Sequence, residues 1–311
     1  MASEIIDIHG HLFPPTVVDS TPPGGLSPSL AAAWSLLRDA DAQLEQAARA
    51  STDVKVVNAP LSTVAGPTGA IAPDLAARLN DALAAEVARH DGRLVAFATV
   101  DAFAGDEGAE EARRAVDQLG FPGLLVDAAR GDAVLSDPEA RPTLAFAAQR
   151  GIPVFAHPVN PPRLDPRFAR VPGGVLLARG TESALSTLAL LASGTLAELD
   201  GLELLIAGIG AAALLLSAFL DGPDAPQPPP SAARSRLWID TMGFDPQAIR
   251  YAVDTVGADR VVVGSDWPIM WRDASRERVE DALSAAGLDE AEAAAVAGGN
   301  ARRLLALPVL R

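Results

Sequence analysis

Short apolar segments alternate along the chain with longer segments whose apolar residues recur at helical spacing. Eight of the short segments are almost continuously apolar, which is typical of parallel strands covered on both faces. They are residues 5–8, 54–57, 94–100, 123–126, 153–156, 202–207, 237–240 and 260–264. The longer segments predict helices, most clearly over residues 31–50, 74–90, 107–119 and 138–150. Eight strands alternating with helices predict an α/β fold, a (β/α)8 TIM barrel that forms a single domain over residues 1–311, with a doubly wound open sheet as the alternative.

Turn-forming and capping residues mark the ends of several predicted helices. The pairs Pro73-Asp74, Asp137-Pro138 and Asp245-Pro246 are expected at helix starts. Gly151 and Gly257 stand where helices should end. The Pro-rich segment 221–231 (DGPDAPQPPPS) is predicted to be an extended surface loop, or else a segment that lies over the mouth of the barrel.

Three of the four histidines follow predicted strands, together with one aspartate. His9 and His11 come at the end of strand one and, at i and i+2, point to the same side of an extended strand. His157 follows strand five and Asp266 follows strand eight. The carboxyl ends of barrel strands form one rim, so these four side chains are expected to meet there. Three imidazoles and a carboxylate suit zinc, manganese or iron(II), whereas the fourth histidine, His90, is predicted to cap a helix end.

Composition narrows the classes of partner and site. Of 311 residues 49% are hydrophobic, which is enough for a large core, and the net charge of −15 disfavours nucleic acid as a partner. The absence of cysteine excludes disulfides, thiolate zinc sites and a cysteine nucleophile. The uncharged run 204–220 is predicted to be a buried strand and helix rather than a membrane span, and the N-terminus does not resemble a signal peptide. We therefore expect a cytoplasmic protein that does not enter a membrane.

The motifs resemble the amidohydrolase superfamily, in the branch of metal-dependent decarboxylases typified by aminocarboxymuconate-semialdehyde decarboxylase. The matching segments are Asp7-x-His9-x-His11, Phe155-Ala156-His157-Pro158, Gly264-Ser265-Asp266-Trp267-Pro268 and Gly299-Asn300-Ala301-Arg302-Arg303-Leu304. The resemblance implies that His9, His11, His157 and Asp266 bind one divalent metal ion. Zinc is the first expectation, with manganese or iron as alternatives. It also implies decarboxylation or hydrolysis of a small carboxylated substrate.

The lysine content distinguishes between branches of this superfamily. Binuclear members carry a bridging carboxylated lysine after strand four. Here strand four leads into Asp127-Ala128-Ala129-Arg130, and the single lysine of the chain, Lys55, lies in strand two. A lysine-bridged binuclear centre is therefore excluded, in agreement with a mononuclear site.

The chain departs from the family pattern after strand six. Members usually carry a histidine there that assists proton transfer, but Gly208 occupies that position. Losing a positioned general base typically costs about 10²–10⁴-fold in rate. The same glycines, in Gly208-Ile209-Gly210, also resemble a dinucleotide-binding motif. However, the acidic residues that follow lie in the Pro-rich segment rather than after a second strand, which disfavours that interpretation.

The predicted enzyme uses Asp266 both as metal ligand and as proton shuttle. Asn58 after strand two, Arg130 after strand four and Trp267 beside Asp266 are the predicted substrate contacts. Two alternatives remain open: a catalytically reduced barrel that serves as the partner subunit of a heteromeric enzyme, and a non-heme metal oxygenase component. We expect a small-molecule substrate and either a homo-oligomer or a heteromer with a related barrel subunit.

Overall fold

Eight parallel strands close into a barrel, as the apolar segments predict. The structure is a computed structural model that describes residues 4–23, 28–65, 71–160, 165–270 and 272–308. Barrel strands one to eight are β1 (Ile6–His11), β2 (Val54–Asn58), the two-part third strand β3 (Leu94–Ala96) and β4 (Ala98–Val100), β5 (Leu124–Asp127), β8 (Pro153–His157), β9 (Glu203–Ile206), β10 (Leu237–Asp240) and β11 (Val261–Val262). A short antiparallel hairpin, β6 (Ala129–Arg130) with β7 (Ala133–Val134), follows strand four.

Hydrogen bonds between the last strand and the first complete the barrel. The paired strands run in parallel in the orders β1-β2-β3 and β11-β10-β9-β8-β5-β4. The amide of Ile8 donates to the carbonyl of Val263 at 2.8 Å, and the amide of Asp266 donates to the carbonyl of His9 at 2.8 Å. The loop after strand eight therefore lies directly against the end of strand one, which brings Asp266 beside the two N-terminal histidines.

The core has two layers, one inside the barrel and one between the strands and the helices. The inner layer is filled by bulky side chains from alternate strand positions, as is usual for such barrels. Its members from the strands and the residues beside them include Ile6, Ile8, Val54, Val56, Phe97, Leu125, Phe155, Leu205, Trp238 and Val262. These side chains fill the barrel interior on the amino-terminal side of the histidines. A ligand therefore reaches the histidines from the carboxyl rim.

Helices of varied length connect the strands. They are α1 (Pro28–Ala33), α2 (Ala40–Arg49), α3 (Leu61–Val64), α4 (Leu75–Val87), α5 (Asp106–Leu119), α6 (Arg141–Arg150), α7 (Pro166–Ala169), α8 (Gly174–Ser193), α9 (Thr195–Glu198), α10 (Ala212–Leu216), α11 (Pro230–Ala233), α12 (Pro246–Val256), α13 (Arg276–Ala285), α14 (Glu290–Ala294) and α15 (Asn300–Leu304). A π-helical turn, Ala295–Gly299, joins the last two.

The predicted helix over residues 31–50 is wrong as a single element. A 3₁₀ turn, Leu36–Arg38, separates α1 from α2, and the Asp39 carboxylate accepts a hydrogen bond from the amide of Ala42 to begin α2. An aspartate side chain can hydrogen-bond to nearby backbone amides, so aspartate is favoured at the start of a helix and disfavoured in its interior. The helical periodicity on both sides hid this break.

The predicted helix boundaries are partly right. Asp245 caps α12 by accepting from the amide of Ala248, and Gly151 ends α6 with a φ of 62°. Gly257 follows the last residue of α12. Asp74 makes no capping bond, and Asp137 instead accepts from the amide of Val134, because α6 begins only at Arg141.

The uncharged run over residues 204–220 divides into a buried strand and short helices, but the prediction that the helical part is buried is wrong, because Leu215, Leu216 and Phe219 are exposed. One other helix, α8, is long and apolar enough by length and composition to cross a membrane. One face of α8 packs closely against the turn after strand six. At Gly180 in α8 the approach is so close that a Cβ atom would lie 2.6 Å from the carbonyl oxygen of Ile209. Helix α8 therefore serves as the connection between strands five and six.

The Pro-rich segment folds back on itself. The Asp221 carboxylate accepts from the amide of Ser231 at 3.1 Å, which ties the two ends of the segment together. Pro226 lies against Gly194, which ends α8 at the amino-terminal side of the barrel. The segment is therefore a surface loop, and its contact with Gly194 directs it away from the mouth.

Candidate metal centre

A local irregularity in strand one turns His9 into the barrel. The pairing of β1 with β2 changes register between Asp7 and Gly10. With strict alternation His9 would share the outer side with Asp7, but instead its ring lies 4.8 Å from that of Phe155, a residue of the inner core. A bulge in the strand therefore aims the imidazole at the barrel axis.

Three imidazoles meet above the inner core. One ring nitrogen from each of His9, His11 and His157 falls in a group whose members all lie within 4.8 Å of one another. The ring centroids are 4.9–5.7 Å apart and the rings are nearly perpendicular. All three side chains are buried, with at most 2% of their surface exposed. Their convergence matches the expectation from the strand ends.

Two polar side chains fix the orientation of the first two rings. His9 Nδ1 lies 2.6 Å from Asp240 Oδ2, and His11 Nδ1 lies 2.7 Å from Asn58 Oδ1. Each oxygen accepts a hydrogen bond from Nδ1–H, so the lone pair of each imidazole is on Nε2. Asp240 is a site residue that was not predicted from the sequence, although its place at the end of strand seven is the signal that would have identified it.

Asp266 completes the group from the loop after strand eight. Its Oδ1 lies 3.0 Å from His11 Nε2 and 3.7 Å from His9 Nε2. Asp266 has a positive φ of 55°, a backbone conformation that residues other than glycine adopt at a cost in free energy. The hydrogen bond from its amide to His9 helps to hold this conformation. Its carboxylate therefore faces two ring nitrogens that both have a lone pair to offer.

The buried nitrogen atoms indicate that a cation belongs in this space. His9 Nε2 and His157 Nδ1 have no hydrogen-bond partner within the described parts of the chain. A buried acceptor left unsatisfied costs about 1–3 kcal/mol. Facing lone pairs on His11 Nε2 and Asp266 Oδ1 also repel unless a proton or a metal ion lies between them. A divalent ion would satisfy all of these atoms at once, so the donor set fits such an ion.

Burial and neighbouring charges set the protonation of the group. Burial lowers the pKa of His11, and it lowers that of His157 strongly, so both rings are neutral. Burial also disfavours protonation of His9, but the charge and hydrogen bond of Asp240, together with the charges of Asp266 and Asp7, outweigh burial and raise the pKa. Burial raises the pKa of Asp266, yet its close contact with His11 and nearby positive charges hold the pKa below its usual value. Neutral imidazoles beside a carboxylate are the forms that bind a metal.

A further acidic residue lies at the end of strand four. Asp127 pairs with His157 across the sheet, and its carboxylate accepts from both the amide and the hydroxyl of Ser62, at 2.8 and 2.9 Å. Burial raises the pKa of Asp127 to about 6, and these hydrogen bonds oppose the shift only in part. Asp127 therefore lies on the same rim as His157, although the sequence does not single it out as a site residue.

The three predicted substrate contacts lie in different environments. Asn58 is fully buried and orients His11, while its Nδ2 has no partner among the described residues. Arg130 pairs with Asp101 and donates to the carbonyl of Phe103 at 2.8 Å. The Trp267 ring lies 5.1 Å from Lys55 Nζ, and its carbonyl accepts from the same ammonium.

Gly208 occupies the position expected from the strand-six pattern. Its amide donates to Asp240 Oδ1 at 2.7 Å, so this glycine supports the same carboxylate that orients His9. A Cβ built at Gly208 would lie 2.9 Å from the carbonyl oxygen of Asp240 and 3.4 Å from Oδ1. The turn after strand six therefore leaves no room for a side chain at position 208.

Comparisons with known proteins agree with this fold and these motifs. The amidohydrolase family model matches residues 6–307. A gamma-resorcylate decarboxylase from Rhizobium sp. (strain MTP-10005) is 30% identical over 291 residues, spanning 87% of this chain and 88% of that protein. The 2-amino-3-carboxymuconate-6-semialdehyde decarboxylase of Dictyostelium discoideum is 26% identical over 246 residues, spanning 74% of this chain and 67% of that protein. Among solved structures, the 5-carboxyvanillate decarboxylase of Novosphingobium aromaticivorans in complex with manganese has a TM-score of 0.84 at 18% identity, over 98% of this chain and 96% of that one.

Proposed function

Because this chain belongs to the amidohydrolase family, we propose that it is a metal-dependent decarboxylase acting on a small aromatic carboxylic acid. The observation that carries the proposal is the convergence of His9, His11, His157 and Asp266 at the carboxyl rim, with ring nitrogens that lack other partners. The named relatives are decarboxylases, and none is described as an accessory subunit or an oxygenase. These comparisons therefore favour a lyase over the two alternatives from the sequence.

His9, His11, His157 and Asp266 are the residues that would hold one divalent ion. We expect zinc as the native ion, with manganese or iron as alternatives, manganese being the ion in the 5-carboxyvanillate decarboxylase complex. Such an ion supplies positive charge that binds and polarises substrate oxygens. Asp240 and Asn58 position the imidazoles, since second partners of this kind fix the ring and its tautomer.

Asp266 moves the proton in the proposed reaction. As a carboxylate it first takes up a proton from the solvent or from a substrate hydroxyl group, and it then delivers that proton to the ring carbon that bears the reacting carboxylate. The bond between that carbon and the carboxylate then breaks, its electron pair restores the aromatic ring, and CO2 leaves. The balance is one carboxylate and one proton giving one arene and one CO2. With Gly208 in place of a histidine, Asp266 is the acid–base group that faces Nε2 of both His9 and His11, whereas Asp240 is bonded to Nδ1 of His9.

The proposed substrate contacts follow from what each side chain has left to offer. Asn58 presents an unpartnered Nδ2 beside His11. Trp267 adjoins Asp266 in the sequence and forms part of the wall near the first strand. Arg130 reaches the substrate only if it leaves Asp101.

We further propose that the whole chain forms one domain and that the protein is soluble and cytoplasmic.

The function is tested by CO2 release from a panel of aromatic acids. Purified protein loaded separately with zinc, manganese and iron(II) is incubated with 2,6-dihydroxybenzoate, 5-carboxyvanillate and benzoate. We expect release of CO2 with at least one hydroxylated acid, and loss of that release after chelation. Hydrolysis of esters or amides in the absence of any decarboxylation would overturn the proposal.

Asp240→Asn is expected to weaken metal binding. The substitution removes the charge that orients His9, and loss of such a partner typically costs about 10- to 100-fold in metal affinity. Competition with a fluorescent chelator measures the affinity. Asp245→Asn is the matched control, because Asp245 caps α12 nearby and has no contact with His9. Equal affinity in Asp240→Asn and the wild type would show that Asp240 does not support the site.

Self-association is proposed from the distribution of exposed apolar side chains. The most exposed large ones in the described chain all lie between residues 171 and 220, on α8, on the turn before it and on the segment after strand six. They are Val171, Val175, Leu177, Leu185, Leu215, Leu216, Phe219 and Leu220. An apolar patch of this kind marks an interaction surface. We propose that it joins two copies of this chain.

Phe219→Asp tests this interface. Phe219 is 85% exposed, so the substitution should leave the fold intact while placing a charge in the proposed contact. Sedimentation is expected to show an oligomer for the wild type and a large shift toward monomer for the variant. A wild-type protein that sediments as a monomer at every concentration at which it stays in solution would contradict the proposal.

A further inference from the structure

Arg179 reaches from α8 to the end of barrel strand five. Its Nη2 donates to the carbonyl of Pro158 at 2.8 Å, and Nη1 lies 3.5 Å from Asn160 Oδ1. Pro158 directly follows His157 in the sequence. The guanidinium is therefore anchored beside the histidine cluster by neutral acceptors, and it is only partly exposed.

No carboxylate among the described residues forms an ion pair with Arg179. The two acids whose charges it feels most, Asp266 and Asp127, lie beyond salt-bridge distance. Arg130, the cation that the sequence suggested for substrate binding, is already paired with Asp101. Removing a guanidinium from water is costly unless an anion compensates it. An anionic ligand that enters the site can supply the counter-charge that Arg179 lacks among the described residues.

The charge balance of the centre points to the kind of anion. Three neutral imidazoles and one aspartate leave a divalent ion with a net charge of about +1, and Arg179 adds another positive charge on the same rim. A cation paired with the reacting carboxylate would favour the ground state, because that group loses its charge as CO2 leaves. Arg179 is therefore better suited to an anionic group that does not react.

We propose that Arg179 binds a second, unreactive carboxylate of the aromatic substrate and so determines specificity for dicarboxylic acids. The inference rests on the proposed function for its reaction, but the binding itself can be measured separately. A guanidinium can hold a carboxylate through two parallel hydrogen bonds, which fixes the ring orientation as well as adding affinity. The reacting carboxylate is thereby directed toward the histidines.

The test compares ligands that differ in the second carboxylate. Isophthalate, benzoate and 2,6-dihydroxybenzoate are titrated calorimetrically into manganese-loaded wild type, Arg179→Met and Arg179→Lys. The control is Arg141→Met, which removes a guanidinium that pairs with Glu198 on the surface. We expect Arg179→Met to lose about 10- to 100-fold in affinity for isophthalate while its affinity for benzoate changes less than twofold. Arg179→Lys should recover part of the loss, and Arg141→Met should match the wild type.

Other outcomes separate this inference from the proposed function. Equal losses for isophthalate and benzoate, no loss for either, or a loss confined to 2,6-dihydroxybenzoate would each overturn the role of Arg179. If no aromatic acid releases CO2 but isophthalate binding still depends on Arg179, the decarboxylase proposal fails and the dicarboxylate site stands. Thermal unfolding of each variant with and without manganese confirms that the comparison is made on folded protein.

Discussion

Asp266→Asn is expected to lower kcat by about 10²–10⁴-fold while leaving the metal in place. Asparagine keeps an oxygen at the position of Oδ1, which lies 3.0 Å from His11 Nε2, so it can still act as a ligand. Its amide cannot take up and release a proton under mild conditions. The chemical step should therefore fail even though the centre is assembled.

Metal content and substrate binding provide the controls for this variant. We expect Asp266→Asn to retain close to the wild-type metal content and to bind a substrate acid within about tenfold of the wild type. A variant that keeps its metal and turns over within threefold of the wild type would show that another group moves the proton. Asp127, buried on the same rim with a pKa of about 6, would then be the next candidate.

Gly208→His, the second large effect, is expected to damage the site and not to restore activity. A side chain at this position would meet the carbonyl oxygen of Asp240 at 2.9 Å, and backbone atoms cannot move aside as cheaply as a flexible side chain. Forced overpacking of this kind typically costs about 1–3 kcal/mol. Any shift of Asp240 is passed to His9, which lies 2.6 Å from its carboxylate. We therefore expect a lower melting temperature and weaker metal binding.

Two alanine variants show whether the loss of stability and metal binding in Gly208→His comes from the clash of the added Cβ or from the imidazole itself. Gly208→Ala introduces the clashing Cβ alone and should reproduce most of the loss. Gly222→Ala is the control, since a Cβ there meets no atom within 4 Å. A gain in CO2 release in Gly208→His would contradict this account and would show that the chain had lost an otherwise compatible histidine.

The sequence predicts the residues that lie at strand ends better than those that act through helices or loops. His9, His11, His157 and Asp266 were predicted to meet because parallel strands of a barrel end on one rim. Asp240 follows the same rule and was overlooked because it looked like an ordinary strand end. The bulge between Asp7 and Gly10 left no clear signal, because the spacing of His9 and His11 already suggested a shared side.

Arg179 and Asn58 show why the other residues of the site could not be predicted from the sequence. Arg179 belongs to a helix whose packing on the barrel decides where its side chain points, and helical periodicity carries no such information. Asn58 orients His11 through its Oδ1, a role that the sequence does not reveal, and its Nδ2 remains for the proposed substrate contact. The break at Asp39 was hidden because two helices with the same apolar spacing flank it. Each of these features depends on contacts between segments far apart in sequence.

Metal analysis combined with anomalous diffraction tests the central claim most directly. Protein purified without added metal should contain about one divalent ion per chain by elemental analysis, in line with a four-ligand site. Diffraction at the absorption edge of that metal should place the ion between the ring nitrogens of His9, His11 and His157 and the Asp266 carboxylate. A well-folded wild type that binds neither zinc, manganese nor iron, or that binds its ion elsewhere, would contradict the account.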